Sequence, residues 1–257
     1  VAVRTDYARL GFADRYARAR GISAEFRERW RERLAAAVPA AEARAVLDVG
    51  AGNGRFWPIL QDAWRPTSIV AIERSSEMLE RAERVDGVSR VRADLNALPI
   101  ADSGVDVVFC SMALQYSLDP AEAVSEFVRV LRPGGWLVLR TGTHSTLSSF
   151  EFLKFFPAAL AAERRAMPDD AELQRWLSRP DVEFRGVTSL SMDPKPRRAA
   201  LRDVVVRGFP SLQLVSEAEF RWGVARYGLW CAANFLTRGT RVGESSLLVV
   251  ARRRGER

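Results

Sequence analysis

Val46-Leu47-Asp48-Val49-Gly50-Ala51-Gly52-Asn53-Gly54 joins a short apolar run to a glycine-rich turn. The run 45–49 has the character of a buried strand, and the stretch behind the turn, up to Trp64, reads as a helix. Glycines between a strand and a helix let the backbone come close to a ligand, and the turn's amides favour anionic groups. By itself such a run also suits a plain structural turn. Glu73 tips the balance. It closes the next strand, about twenty residues on, where a carboxylate can accept from both hydroxyls of a ribose. The glycines are each two apart, so the G-x-G-x-x-G spacing of a nicotinamide site is not met.

Outward from this stretch the chain alternates. Strands are expected at 68–72, 88–91, 105–110 and 136–140, with Ser75 capping a helix over 76–84. Asp119-Pro120-Ala121-Glu122 is a helix start, with an acid at the N-cap, proline in the first turn and Glu three residues on. That helix is expected to reach Leu131 and to stop at Pro133-Gly134-Gly135. Upstream, 5–18 and 23–37 read as amphipathic helices with Thr5 and Ser23 as caps. Continuous apolar strands alternating with helices describe a parallel sheet covered on both faces. Beyond 141 the rhythm changes. Helices are expected at 150–165 and 170–178, a strand at 182–192, a loop at 194–196, and a last strand at 245–251. Residues 198–207 suit helix or strand equally, and Ser216-Glu217-Ala218-Glu219 reads as a capping box opening a helix to about 235.

Five segments between 44 and 142 resemble, in order, the motifs of class I S-adenosylmethionine (SAM) dependent methyltransferases. They are the 46–54 turn, Ile72-Glu73-Arg74-Ser75-Ser76-Glu77-Met78, Ala93-Asp94-Leu95 through Pro99, Phe109 through Tyr116 with Asp119-Pro120, and Leu131 through Trp136. The chain is similar to the small-molecule branch that includes the ubiquinone and menaquinone biosynthesis enzymes. The resemblance implies an α/β fold: a Rossmann-like, mostly parallel seven-stranded sheet with helices on both faces, N-terminal helices, and a cap inserted after strand five. It divides a single domain, 1–257, into a helical lid (1–40), a SAM-binding core (44–142), a substrate-binding cap (143–240), and a last strand with a basic tail (241–257). It implies that Glu73 binds the ribose diol, Asp94 the adenine amino group and the Leu95 amide a ring nitrogen. Gly50, Ala51 and Gly52 would approach the methionine portion, with Asp48 orienting the loop or the ammonium, and Met78 would pack on the adenine. Arg74, Ser111 and Gln115 fall within the matching segments as further cofactor contacts. Tyr16, more than Tyr7, is the candidate to close over SAM from the N-terminal helices.

The chain carries 39 basic and 32 acidic residues, a net charge of +7. Residues 1–150 hold 20 basic and 19 acidic side chains, and 151–257 hold 19 and 13. Arg252, Arg253, Arg254 and Arg257 concentrate much of that excess at the end. This uneven distribution argues against a polyanion-binding face. The segment after strand four, Cys110-Ser111-Met112-Ala113, also departs from the Asn/Asp-Pro-Pro-aromatic sequence that amino-methylating nucleic-acid enzymes of the superfamily carry. No apolar run reaches membrane-span length, and residues 4–15 are too charged for a signal peptide. Two cysteines, Cys110 and Cys231, suit a reducing, cytoplasmic setting. A single histidine leaves no multi-histidine metal site.

His144 follows the fifth strand, and ligands of open α/β sheets sit outside the carboxyl ends of strands. It is the candidate general base. The aromatic residues of the cap, among them Phe150, Phe155, Phe209, Phe220, Trp222, Tyr227 and Trp230, favour a partly apolar or aromatic small acceptor. Arg197, Arg198, Arg202 and Arg207 read as a solvated face rather than a receptor for an acid. The expected activity is SAM-dependent methylation, first at oxygen, of an aromatic or polyketide-like secondary metabolite, releasing S-adenosylhomocysteine (SAH). A tRNA or rRNA methyltransferase, and a SAM- or SAH-binding cyclase or non-catalytic protein on the same fold, are the alternatives.

Overall fold

The computed structural model describes residues 22–191, 195–234 and 241–255. Ser23 caps the first described helix, α1 (Ala24–Ala37), its Oγ accepting from the Phe26 amide at 3.0 Å. Then follow β1 (Ala45–Val49), α2 (Trp57–Trp64), β2 (Ser68–Glu73), α3 (Ser76–Arg81), β3 (Val88–Arg92) and β4 (Val105–Ser111). After α4 (Pro120–Val130) come β5 (Leu131–Thr141), α5 (Pro157–Ala166), α6 (Asp170–Leu177) and β6 (Val182–Ser191). The chain ends with β7 (Lys195–Pro196), α7 (Arg197–Val205), α8 (Glu217–Ala233), β8 (Arg241–Val242) and β9 (Ser245–Arg253).

Seven strands form one sheet in the order β3-β2-β1-β4-β5-β9-β6. β1 to β5 are mutually parallel, and β9 runs antiparallel between β5 and β6. This is the expected Rossmann-like, mostly parallel architecture. Strand periodicity sorts the side chains onto two cores. Val46, Val107, Phe109 and Val138 pack under Trp30, Leu34, Ile59 and Trp64 of α1 and α2. Leu47, Val49, Val108 and Leu139 pack under Val124, Phe127 and Leu173 on the other face.

Three expectations need correction. β5 begins at Leu131, immediately after α4, and the Pro-Gly-Gly turn lies inside it as a bulge, with Val105 facing Leu131 and Val107 facing Trp136. The lid expected over 1–40 does not include α1, because Phe26, Trp30 and Leu34 are built into the core; the helix expected at 5–18 lies outside the described residues. The stretch 143–240 is not one insertion, since β6 joins the main sheet and splits the cap in two. The first piece includes short 3-10 turns at His144–Ser149 and Glu151–Phe155, then α5 and α6; the second includes α7, a turn at Pro210–Leu214, and α8. The ambiguous stretch after 197 is the helix α7. A third core, with Leu147, Phe152, Phe156, Met167, Phe209, Leu212 and Tyr227, joins the two pieces. No described helix is long and apolar enough to cross a membrane.

Candidate active site

The glycine turn is fastened to the end of β2 by backbone bonds. The Gly50 and Ala51 amides both donate to the Ile72 carbonyl, at 2.8 and 3.0 Å. Gly50 has a φ of +71°, and a Cβ there would lie 2.1 Å from the Ala113 Cβ, so the turn admits no side chain at this point. Gly52 has a φ of +57° and nothing within 4 Å of a Cβ position, which leaves its outer side open. The Gly52 amide donates to Glu73 Oε2 at 2.9 Å, and the Ser75 amide donates to Glu73 Oε1 at 2.8 Å. One carboxylate thus spans the turn and the start of α3. Each of its oxygens retains acceptor capacity for a ligand hydroxyl.

These residues border a cavity of about 590 Å³ at the carboxyl ends of the parallel strands. Gly50, Gly52, Glu73, Arg74, Met78, Asp94, Leu95, Ser111 and Gln115 all line it, so nine of the residues expected at a cofactor site are brought together. Met78 is buried, and its amide donates to Ser75 Oγ. Asp94 Oδ1 accepts from the Asn96 amide at 3.0 Å, which holds the turn after β3, and Arg74 stands 4.0 Å from the other oxygen. Gln115 lines the cavity and is buried, with its Oε1 unpartnered among the described residues.

The other four expected residues lie elsewhere. Asp48 is sealed beneath the turn, where Oδ2 accepts from Trp57 Nε1 at 3.0 Å. Burial pushes its carboxyl up to about 7, partly offset by the Trp57 bond and reinforced by the nearby Glu73. Asp48 therefore supports the loop from below and does not border the cavity. Ala51 packs in the core with Phe56 and Trp57 and does not line the cavity. Tyr16, like Tyr7, lies outside the described residues. His144 is exposed and does not line the cavity. Its amide donates to the Pro168 carbonyl at 3.0 Å and its Nε2 to the Arg164 carbonyl at 2.7 Å, so the ring pins β5's exit to the end of α5.

Sequence reasoning missed the far wall. Arg55, Arg140 and Ser246 line the cavity there, beside Leu147, Phe150, Leu153, Met167 and Phe209 from the cap. Arg140 could have been noticed, because it breaks an apolar strand at its carboxyl end. Ser246 had no local signal, since it reaches the site through antiparallel pairing of β9. The arginines singled out in the cap are not at the cavity. Arg197 is buried against Glu151 (3.2 Å) and stacks 4.6 Å from the Trp230 ring, and Arg207 pairs with Glu217 at 2.7 Å. Arg197 is thus a packed residue, not part of a solvated face. Of the cap aromatics, Phe150 and Phe209 reach the cavity, Phe152, Phe156 and Tyr227 fill the cap core, and Trp222 is 72% exposed.

The site therefore has a polar end that fits a nucleoside, at β2 and β3, and a far end where apolar cap side chains stand beside Arg55, Arg140 and Ser246, with Glu163 and Glu244 also in the lining. An open Gly52, the Glu73 carboxylate and the unpartnered Gln115 oxygen fit SAM. Comparison with known proteins agrees. Residues 47–139 match the family model described as a methyltransferase domain. The chain is similar to a malonyl-[acyl-carrier protein] O-methyltransferase of Marinomonas sp., 36% identical over 132 residues, covering 50% of this chain and 49% of that protein. It is also similar to a demethylmenaquinone methyltransferase of Renibacterium salmoninarum, 31% identical over 62% of this chain and 76% of that protein. The chain spans about half the length of the first curated relatives it matches. Among solved structures, the YcgJ protein of Bacillus subtilis superposes with a TM-score of 0.64 at 16% identity, over 90% of this chain and all of that one, a likeness of fold.

Proposed function

This chain belongs to the class I SAM-dependent methyltransferase family, and we propose that it methylates a small, partly apolar acceptor, first at oxygen. The observation that carries this reading is the Glu73 bridge: one carboxylate holding Gly52 and Ser75 while bordering the cavity. Residues 44–142 would hold the cofactor and the two cap pieces the acceptor. Asp94 and the Leu95 amide would take the adenine, Met78 its face, and Gly50 and Gly52 the methionine portion. Asp48 would act through the loop. Bound there, SAM would supply a sulfonium methyl: the acceptor oxygen, any proton on it released to solvent, would form the O–CH3 bond as the S–CH3 electron pair returns to sulfur to leave SAH. The protein's part is alignment and exclusion of water, for which Leu147, Phe150, Leu153 and Phe209 are suited. The O-methyltransferase name among the relatives supports oxygen, and the apolar wall supports an aromatic or polyketide-like body. Two buried free thiols, Cys110 and Cys231, support a reducing, cytoplasmic location.

Calorimetric titration of SAM tests the reading. Wild type should bind, and Glu73→Ala should bind about 10–100-fold more weakly, the usual loss for hydrogen bonds to a charged group. Absence of binding to wild type would overturn it. Release of SAH across a panel of phenols, acids and amines then separates methyl transfer from a cyclase or a protein that holds SAM unconsumed.

A further inference from the structure

We propose that Ser111, Arg140 and Ser246, with Arg55 beside them, form a seat for a carboxylate on the methyl acceptor, so that the acceptor is a small acid with an apolar body. This rests on the cofactor reading above, which assigns the β2–β3 end of the cavity to the nucleoside. Register builds the seat. Ser111 faces Arg140 across β4–β5, Arg140 faces Leu248 across β5–β9, and Ser246 lies two residues from Leu248 on the same face. Three adjacent strands thus present a row of polar side chains in an otherwise apolar layer.

The guanidinium in this row is held in place. Its carbon lies 5.5 Å from the Trp30 ring centroid and 5.9 Å from that of Phe56, and one nitrogen donates to Ser111 Oγ at 3.2 Å. Arg55 stacks on the same Phe56 ring at 5.6 Å, bringing a second positive charge to the wall. A planar guanidinium fixed on aromatic faces presents its donors to a carboxylate with little ordering left to do. Ser246 supplies independent support. The residue lines the cavity and is 2% exposed, and its buried Oγ has no hydrogen-bond partner among the described residues. A ligand oxygen would satisfy it.

Position favours the acceptor over the cofactor as the source of the carboxylate. Glu73 on β2 and Arg140 on β5 stand three strands apart, roughly 14 Å at the usual interstrand spacing, and Ser246 on β9 is ~19 Å away. Leu147, Phe150 and Phe209 line the same cavity and suit the acceptor's body, while Glu163 and Glu244 are the carboxylates that share the lining with the row.

Phenylacetate and octanoate, each paired with its neutral amide, test this by titration with SAH present and absent. Wild type should bind the acids at least about tenfold more tightly than the amides. Arg140→Gln should erase that preference, and Ser246→Ala, which removes a single hydroxyl and keeps the stacking intact, should cut it severalfold. SAM and 5′-methylthioadenosine, which lacks the amino-acid tail, are titrated into the same proteins. Equal binding of acids and amides by wild type overturns the proposal. So does an Arg140→Gln protein that keeps its acid preference but loses affinity for SAM and not for 5′-methylthioadenosine, because the seat then serves the cofactor. Failure of both nucleosides to bind wild type faults the cofactor reading instead, and the acid–amide comparison without SAH still judges the seat.

Discussion

Single residues divide into those that touch the cavity and those that hold others there. Glu73 does both. His144 does not line the cavity, and its Nε2 is committed to the Arg164 carbonyl, where it ties β5's exit to α5. His144→Ala is accordingly expected to keep turnover within about twofold of wild type once folded, with a loss comparable to one exposed hydrogen bond in stability; a hundredfold fall in kcat with unchanged SAM affinity would restore it as a base. Asp48 has a different signature. Its carboxyl ionises near 3.8 when exposed and at about 7 in the folded protein, so the folded state holds the proton longer. Stability contributed by this group is therefore intact at acid pH, falls as pH rises through that window by up to roughly 1.4 kcal/mol per pH unit, and is level above it. Asp48→Asn should flatten this component, read as the difference in urea midpoints between the two proteins at pH 4 to 8.

At the scale of elements, capping residues marked the starts of α1, α3, α4 and α8, half of the described helices, and their details show what packing adds. Asp119 Oδ1 accepts from the amides of Ala121 and Glu122, as its sequence position implies. Ser216 Oγ accepts from the Glu219 amide, but the reciprocal half of that box is spent elsewhere. Glu219 Oε1 takes the Ala158 amide at 2.8 Å and so caps α5, 61 residues away. The two cap pieces are thereby joined by one carboxylate. Glu219→Ala should cost about 1 kcal/mol and lower Tm by about 2–4 °C, with faster amide exchange in α5 and α8 and unchanged exchange in β1 and β4. Uniform loosening of the sheet would contradict this. The β5 bulge has a similar origin. Asp106 Oδ2 accepts the amides of Arg44 and Ala45 while Oδ1 pairs with Arg132 at 2.8 Å, so the turn is tied beside the strand rather than placed before it.

For the whole molecule, the +7 charge loses its suggestion of a nucleic-acid face. Arg252 pairs with Glu42 at 2.8 Å and stacks 4.8 Å from the Trp136 ring, while Arg253 donates to the carbonyls of Val128, Arg129 and Leu131. Much of the basic tail is therefore part of β9 and its neighbours. Further arginines answer local acids, Arg27 with Asp62 and Arg129 with Glu126 and Asp102 among them. Filter retention of bulk tRNA and rRNA fragments at about 50 mM salt should be negligible. Tight binding that collapses as salt rises would revive the RNA reading.

The sequence by itself determined the strand–helix order, the parallel core, the glycine turn and which residues of β2 and β3 border the cavity. These depend on neighbours in the chain: apolar periodicity, capping residues, and a turn whose glycines lie two apart. Tertiary structure alone decided the far wall of the cavity. Arg140 and Ser246 line one cavity because β9 inserts antiparallel beside β5, a pairing that joins residues over a hundred positions apart. His144, by contrast, lies near the strand end in sequence and faces away, because a carbonyl twenty residues later takes its ring. Local patterns carry backbone geometry, whereas the direction of a side chain at a strand end is set by whichever distant partner reaches it first.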